Sequence, residues 1–211
     1  LSVEQIADQL RSHNLARSNA LRRYTAVRHY EVEYRGFPAK LEAKMEVEAS
    51  YDAKAGKSFR VLSESGSKAL REKVLRRALE SEVEASQDPS ASAMTTANYR
   101  FRMVGREKLD GRAAYILEVE PLTKSKFLVR GKIWVDAAEF AVVKMEAEPS
   151  KNPSFWISRT LIKQSFVKTG EFWLAAKNLS ETRVRLGGTA VLLIDYGSYQ
   201  IVPEAGDGRG K

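Results

Sequence analysis

Between residues 99 and 149 the chain alternates apolar and polar residues, and nothing else in it narrows the possible folds as far. Ala113, Tyr115, Leu117 and Val119 fall on one side of an extended segment, and Phe127, Val129, Ile133 and Val135 on one side of the next. Ala141, Val143, Met145 and Ala147 continue the pattern. Successive side chains of a strand point to opposite faces, so this alternation describes a sheet with one buried and one wet face. Leu109-Asp110-Gly111-Arg112 separates two of the runs, and Asp-Gly suits a tight primed hairpin. The core is read as an antiparallel meander whose apolar side has to be covered by the rest of the chain.

Two segments can supply that cover. Ser2-Val3-Glu4-Gln5 has the form of a capping box, and Val3, Ile6, Ala7 and Leu10 follow helical spacing, with Leu21 and Tyr24 resuming it. This predicts an amphipathic helix to about Arg23, bent near His13-Asn14. The second candidate is Ser67 to Ser86, with Leu70, Val74, Leu75, Ala78, Leu79 and Val83 on one side and charged residues on the other. Strands are expected at 24–35 (ended by Gly36-Phe37-Pro38), 41–51, 59–62, 155–168, 172–186 and 190–196, in addition to the meander. On the last of these, Val191, Leu193 and Tyr199 are placed on the face opposite Ala190, Leu192, Ile194 and Tyr196. The fold class is α+β, mainly β: a curved antiparallel sheet or unclosed barrel of about ten strands, capped by two or three helices. Residues 1–202 form one domain, and the Gly-rich segment 203–211 is a flexible tail.

The chain has 211 residues, no Cys and two His, which removes disulfides, thiol nucleophiles and cysteine metal sites. No apolar run reaches the length of a transmembrane helix. A net charge of +8 favours anionic partners, but the cations interleave with acids, as in Glu42, Lys44, Glu46 and Glu48. That is the pattern of a solvated sheet face, and no nucleic-acid partner is expected. His29, Glu31 and Glu33 share a strand face by parity, yet residues two apart are separated by roughly 6.5–7 Å, too far to converge on one ion. No nucleophile, acid–base pair or cofactor motif emerges, so an enzyme is not expected. Gly206-Asp207-Gly208-Arg209-Gly210-Lys211 lacks the following helix that a phosphate loop needs.

A curved sheet under a helical lid tends to leave space between the two, and Met and aromatic side chains line such spaces adaptably. The cavity candidates are Met45, Val47, Leu75, Leu79, Phe101, Met103, Tyr115, Leu117, Ile133, Trp134 and Met145. Core is the competing assignment for each of them.

The order of motifs resembles the LolA/LolB-like superfamily of outer-membrane lipoprotein-sorting proteins. The likeness is carried by an N-terminal helix running into strands, Lys57-Ser58-Phe59-Arg60-Val61, then a helix. Tyr99-Arg100-Phe101, the Gly105-to-Tyr115 hairpin and Val119-Glu120-Pro121 follow, then Gly131-Lys132-Ile133-Trp134-Val135-Asp136 and Leu193-Ile194-Asp195-Tyr196-Gly197-Ser198-Tyr199. The resemblance implies an unclosed antiparallel barrel and a non-enzymatic periplasmic carrier or sensor of lipid or lipoprotein acyl chains. It implies a monomer whose signal peptide was removed before Leu1, with a membrane surface or envelope protein as a further partner. The alternatives are a ligand-free envelope protein-interaction domain of the same fold and a basic-face binder of polyanions or nucleic acid.

Overall fold

The computed structural model describes residues 1–202 apart from 38, 153, 156 and 186. Pro38 as strand breaker, Pro153 of a turn cluster, Trp156, Leu186 and the tail 203–211 lie outside the described residues. Among the described residues eleven strands form a single open antiparallel sheet. They are β1 (Arg23–Arg35), β2 (Leu41–Asp52), β3 (Gly56–Gly66), β4 (Tyr99–Leu109), β5 (Arg112–Pro121) and β6 (Val129–Asp136). The others are β7 (Val142–Pro149), β8 (Ile157–Thr169), β9 (Phe172–Val184), β10 (Thr189–Asp195) and β11 (Gln200–Val202). The order across the sheet is β3-β2-β1-β10-β9-β8-β7-β6-β5-β4, with β11 pairing the start of β1. Among the described residues β3 and β4 remain the two edges, so the sheet is open.

The predicted alternation governs most of it. Ala43, Met45, Val47 and Ala49 of β2 are buried, as are Leu117, Val119, Ile133 and Val135 in the meander. Asp110 and Gly111 both have positive φ, 50° and 81°, which is the primed geometry that joins Leu109 to Arg112. The outer face carries cross-strand ion pairs, among them Lys44–Glu31, Arg60–Glu48, Arg102–Glu118, Arg130–Glu120 and Arg159–Glu148. On that face Glu33 is paired with Arg35 and Lys40.

The helices differ from the sequence reading in detail. α1 (Val3–Ala20) begins at the predicted capping box, with Ser2 and Gln5 bonding reciprocally, and runs unbroken to Ala20. It stops short of Arg23 because Leu21 turns extended and Tyr24 joins β1, where it stacks on its cross-strand partner Tyr51. The second lid is not one α-helix. It consists of α2 (Lys68–Leu70), a π-helical stretch (Arg71–Leu75) and α3 (Arg76–Gln87). The wider π turn keeps Leu70 and Leu75, five residues apart, on one buried face with Leu79.

Three expectations about parity fail, each where the ladder is interrupted. Val142, not Val143, packs inward beside Met145 and Ala147, because Val143 is an extra residue opposite β6. Leu128 rather than Phe127 enters the core, since β6 starts only at Val129. Tyr199 lies inside, its hydroxyl donating to the Ala175 carbonyl, because the chain turns at Gly197 and parity restarts. A Cβ on Gly197 would sit 2.1 Å from the Val27 carbonyl oxygen, so only glycine fits this turn.

Candidate functional site

The concave face is divided into two packed halves. Under α2–α3, Met45, Val47, Leu75 and Leu79 join Tyr30, Val32 and Ile194. Under α1, Leu117 and Ile133 pack with Ile6 and Leu10, while Phe101, Met103, Tyr115 and Met145 stand around them. Ten of the eleven cavity candidates thus lie in one half or the other. Trp134 is the exception: its neighbours Ile133 and Val135 point inward, so it faces the convex side. There its indole N–H donates to Glu107 at 2.7 Å, and the Lys144 ammonium sits 4.2 Å from the ring centre.

Between the halves, on β8 and β9, five of the inward positions are polar, with the apolar Ile162 among them. The Thr160 and Thr182 hydroxyls lie 3.0 Å apart, the Asn178 amide donates to Gln164 at 2.7 Å, and Ser180 donates to Asn178 at 2.8 Å. Strand parity places these five on the concave face, since Asn178, Ser180 and Thr182 oppose inward residues of β10. The alternation in β8 hid this row, because Leu161 outward and Thr160 or Gln164 inward is the reverse of the usual code.

A groove of about 350 Å³ runs between the C-terminal half of α1 and the sheet. Leu21, Met94, Val142, Met145, Phe166, Phe172, Trp173 and Leu174 line it. Met94, Val142 and Met145 also border the α1 half-core, so groove and core are continuous. Of the sequence candidates, Met145 lines this groove.

Polar clamps hold both lids. Arg17 of α1 donates to the carbonyls of Glu139 and Phe140 at 2.9 and 2.8 Å, and its other contact is Asn14. The Glu139 carboxylate accepts from Arg112, Lys168 and the Trp173 indole. Burial pushes its carboxyl up, but Lys168 and Trp173 outweigh that and hold it below the usual range. Under the other lid, buried Arg28 of β1 donates to Glu82 of α3 at 2.9 Å, and Lys57 reaches the same carboxylate at 3.2 Å. Burial again opposes the charge on Glu82, and Lys57 and Arg28 together keep its carboxyl below the normal value. Burial also raises the hydroxyls of Tyr30 and Tyr196 beside it, so both stay protonated hydrogen-bonding groups. Neither Arg28 nor Glu82 figured among the sequence candidates. The signals were present: Arg28 occupies an inward position of β1, and Glu82 falls three residues after Leu79 on the apolar side of the helix.

Among the described residues no group of three or more His, Asp or Glu is placed to hold a metal ion, and no helix is long and apolar enough to cross a membrane. The fold and groove define an open antiparallel half-barrel with two helical lids, the architecture that the sequence resemblance implies. No family model and no curated protein matches the chain. Solved structures do. A DUF1329 family protein from Desulfovibrio piger is similar at 12% identity over 97% of this chain and 94% of that one, with a TM-score of 0.46. An outer membrane lipoprotein-sorting protein domain from Vibrio parahaemolyticus is similar at 13% identity over 98% and 93%, TM-score 0.46. A LolA superfamily protein from Nitrosomonas europaea aligns at 11% identity over 97% and 95%, TM-score 0.40. At these scores the likeness carries no cargo, partner or residue role over to this chain.

Proposed function

We propose that this chain is a non-enzymatic carrier or sensor that binds the acyl chain of a lipid or lipoprotein between sheet and lid. The observation that supports it is the groove under α1, mostly apolar with Asn14, Arg17 and Ser18 of the helix along one side, and continuous with the α1 half-core through Met94, Val142 and Met145. Its size falls at the low end of the roughly 300–1,000 Å³ of small-ligand clefts. Each buried methylene contributes about 0.8 kcal/mol, so loading needs no covalent step. The C-terminal half of α1 is the movable part. Ile6, Ala7 and Leu10 bury its first half, while the second is fastened mainly by Arg17. Displacing it would enlarge the groove into the half-core, and Phe101, Met103 and Tyr115 would then become lining residues. In this reading the chain works in the periplasm, with a membrane surface or an envelope protein receiving the cargo. The test is titration with a fluorescent fatty acid. Saturable uptake, competed by unlabelled fatty acid, supports the reading, and no uptake sinks it.

A second reading has one observation in its favour. Ile6, Leu10, Leu75, Leu117 and Ile133 are fully buried with the lids closed, as in a domain whose space is filled and whose partner is a protein. Pull-down against envelope extracts with and without bound fatty acid separates the two.

A further inference from the structure

The pairing of β7 with β8 stops short of the rim. The two strands are paired from Ala147 opposite Ile162 to Lys144 opposite Ser165. Yet β8 continues to Thr169, paired there with β9. Two irregularities flank the parting: Val143 is the extra residue of β7 against β6, and Ala176 that of β9 against β8. Bulges of this kind bend a strand and interrupt its ladder. At the parting lies a cavity of about 180 Å³ lined by Arg112, Asp136, Val143, Lys144 and Ser165 among others. Lys144 and Ser165 precede or follow the inward Met145 and Gln164, so this cavity opens on the convex side. The groove under α1 lies on the concave side. Phe166 and Trp173 line both.

We propose that the parting of β7 and β8 is a lateral portal through the sheet, by which a single acyl chain passes tail first into the concave groove, with Phe166 and Trp173 as its gate. This rests on the acyl-binding reading. Val143, Phe166 and Trp173 give the parting an apolar lining that suits methylenes and excludes a charged head. The convex mouth is polar and wet, with Arg112 paired to Asp136 and Glu139 and Lys144 paired to Glu146, so the head stays in water there. The Trp173 indole is tied to Glu139 at 2.8 Å, and the backbone carbonyl of Glu139 is one of those that Arg17 of α1 grips. Gate and lid therefore share one anchor. Passage through the sheet leaves Ile6 and Leu10 in place, so it does not require α1 to lift.

The chain contains no cysteine, and Ser165→Cys supplies a single thiol at the convex mouth. A bulky maleimide on that thiol plugs the portal, and the same label on Ser63→Cys of the exposed edge strand β3 is the control. Stopped-flow uptake of a fluorescent fatty acid is the readout. The portal predicts uptake slowed about tenfold or more in labelled S165C alone. It also predicts that Phe166→Ala speeds uptake and release together, with the dissociation constant changed less than either rate. Unchanged rates in labelled S165C and in F166A overturn the portal and leave the carrier reading standing. Absence of any uptake by the wild-type chain overturns both.

Discussion

The guanidinium of Arg28, fully buried on the concave face of β1, meets the carboxylate of Glu82 on α3 at 2.9 Å. The pair ties the second lid to the sheet. Arg28 is also sandwiched against Tyr196 and Phe59, 4.6 and 5.4 Å from their ring centres. Removing one member strands a buried charge, whereas removing both leaves apolar neighbours to close the space.

Glu82→Ala is accordingly expected to cost about 3–5 kcal/mol in urea unfolding, and the double variant Arg28→Met with Glu82→Leu markedly less. If the double variant loses as much as the single ones added together, the pair is not what couples lid to sheet.

Acid should loosen both ends of the molecule. Glu82 and Asp136 are held below their ordinary values, the second because Arg112 and the amides of Glu139 and Ala138 outweigh its burial. Groups of lowered folded pKa contribute stability that is fully present above the unfolded value, about 4 for these carboxyls. That stability is lost as pH falls through the folded value. Melting curves should be flat from neutral pH to about pH 5 and fall steeply below about pH 4. In Glu82→Gln combined with Asp136→Asn the fall should be shallower, from a lower starting stability.

Two tryptophan substitutions should behave differently. Met45 is packed in the second half-core, so Met45→Trp overfills it and costs about 1–3 kcal/mol. Met145 borders the open groove, so Met145→Trp should cost less while abolishing fatty-acid uptake. Thermal melts and probe titrations on the same samples check both halves of this statement.

Gly131 has φ of +154°, and a Cβ there would lie 2.3 Å from the Glu146 carbonyl oxygen of β7. Gly131→Ala should therefore cost more than about 2 kcal/mol, because backbone must move. A near-neutral urea midpoint would contradict this contact.

Much of this fold was legible because alternation specifies a sheet face directly. Ala43, Met45, Val47 and Ala49, and Leu117, Val119, Ile133 and Val135, needed no tertiary information to be placed inward. What the pattern could not carry were the interruptions. The turn at Gly197 and the three-residue β11 depend on partners far along the chain, and the bulge at Val143 on the register it takes against Trp134 and Val135. The site was less legible for a related reason. Core and cavity use the same residue types, and whether Leu117 is filled over by Ile6 or open to a ligand is decided by the lid. Phe166, Phe172 and Trp173 fall in two of the expected strands, but their position beside the parting of β7 and β8 follows from strand register. Arg28 and Glu82 read as ordinary surface charges until each is seen on the inward side of its own element.

The central claim is that an acyl chain occupies the space under α1. Native mass spectrometry of the purified chain, followed by solvent extraction, tests it most directly. A chain that carries acyl groups there should show a discrete adduct that extracts as a fatty acid or phospholipid and is absent from Met145→Trp. A bare mass for the wild-type chain, unchanged after incubation with fatty acid, would contradict it.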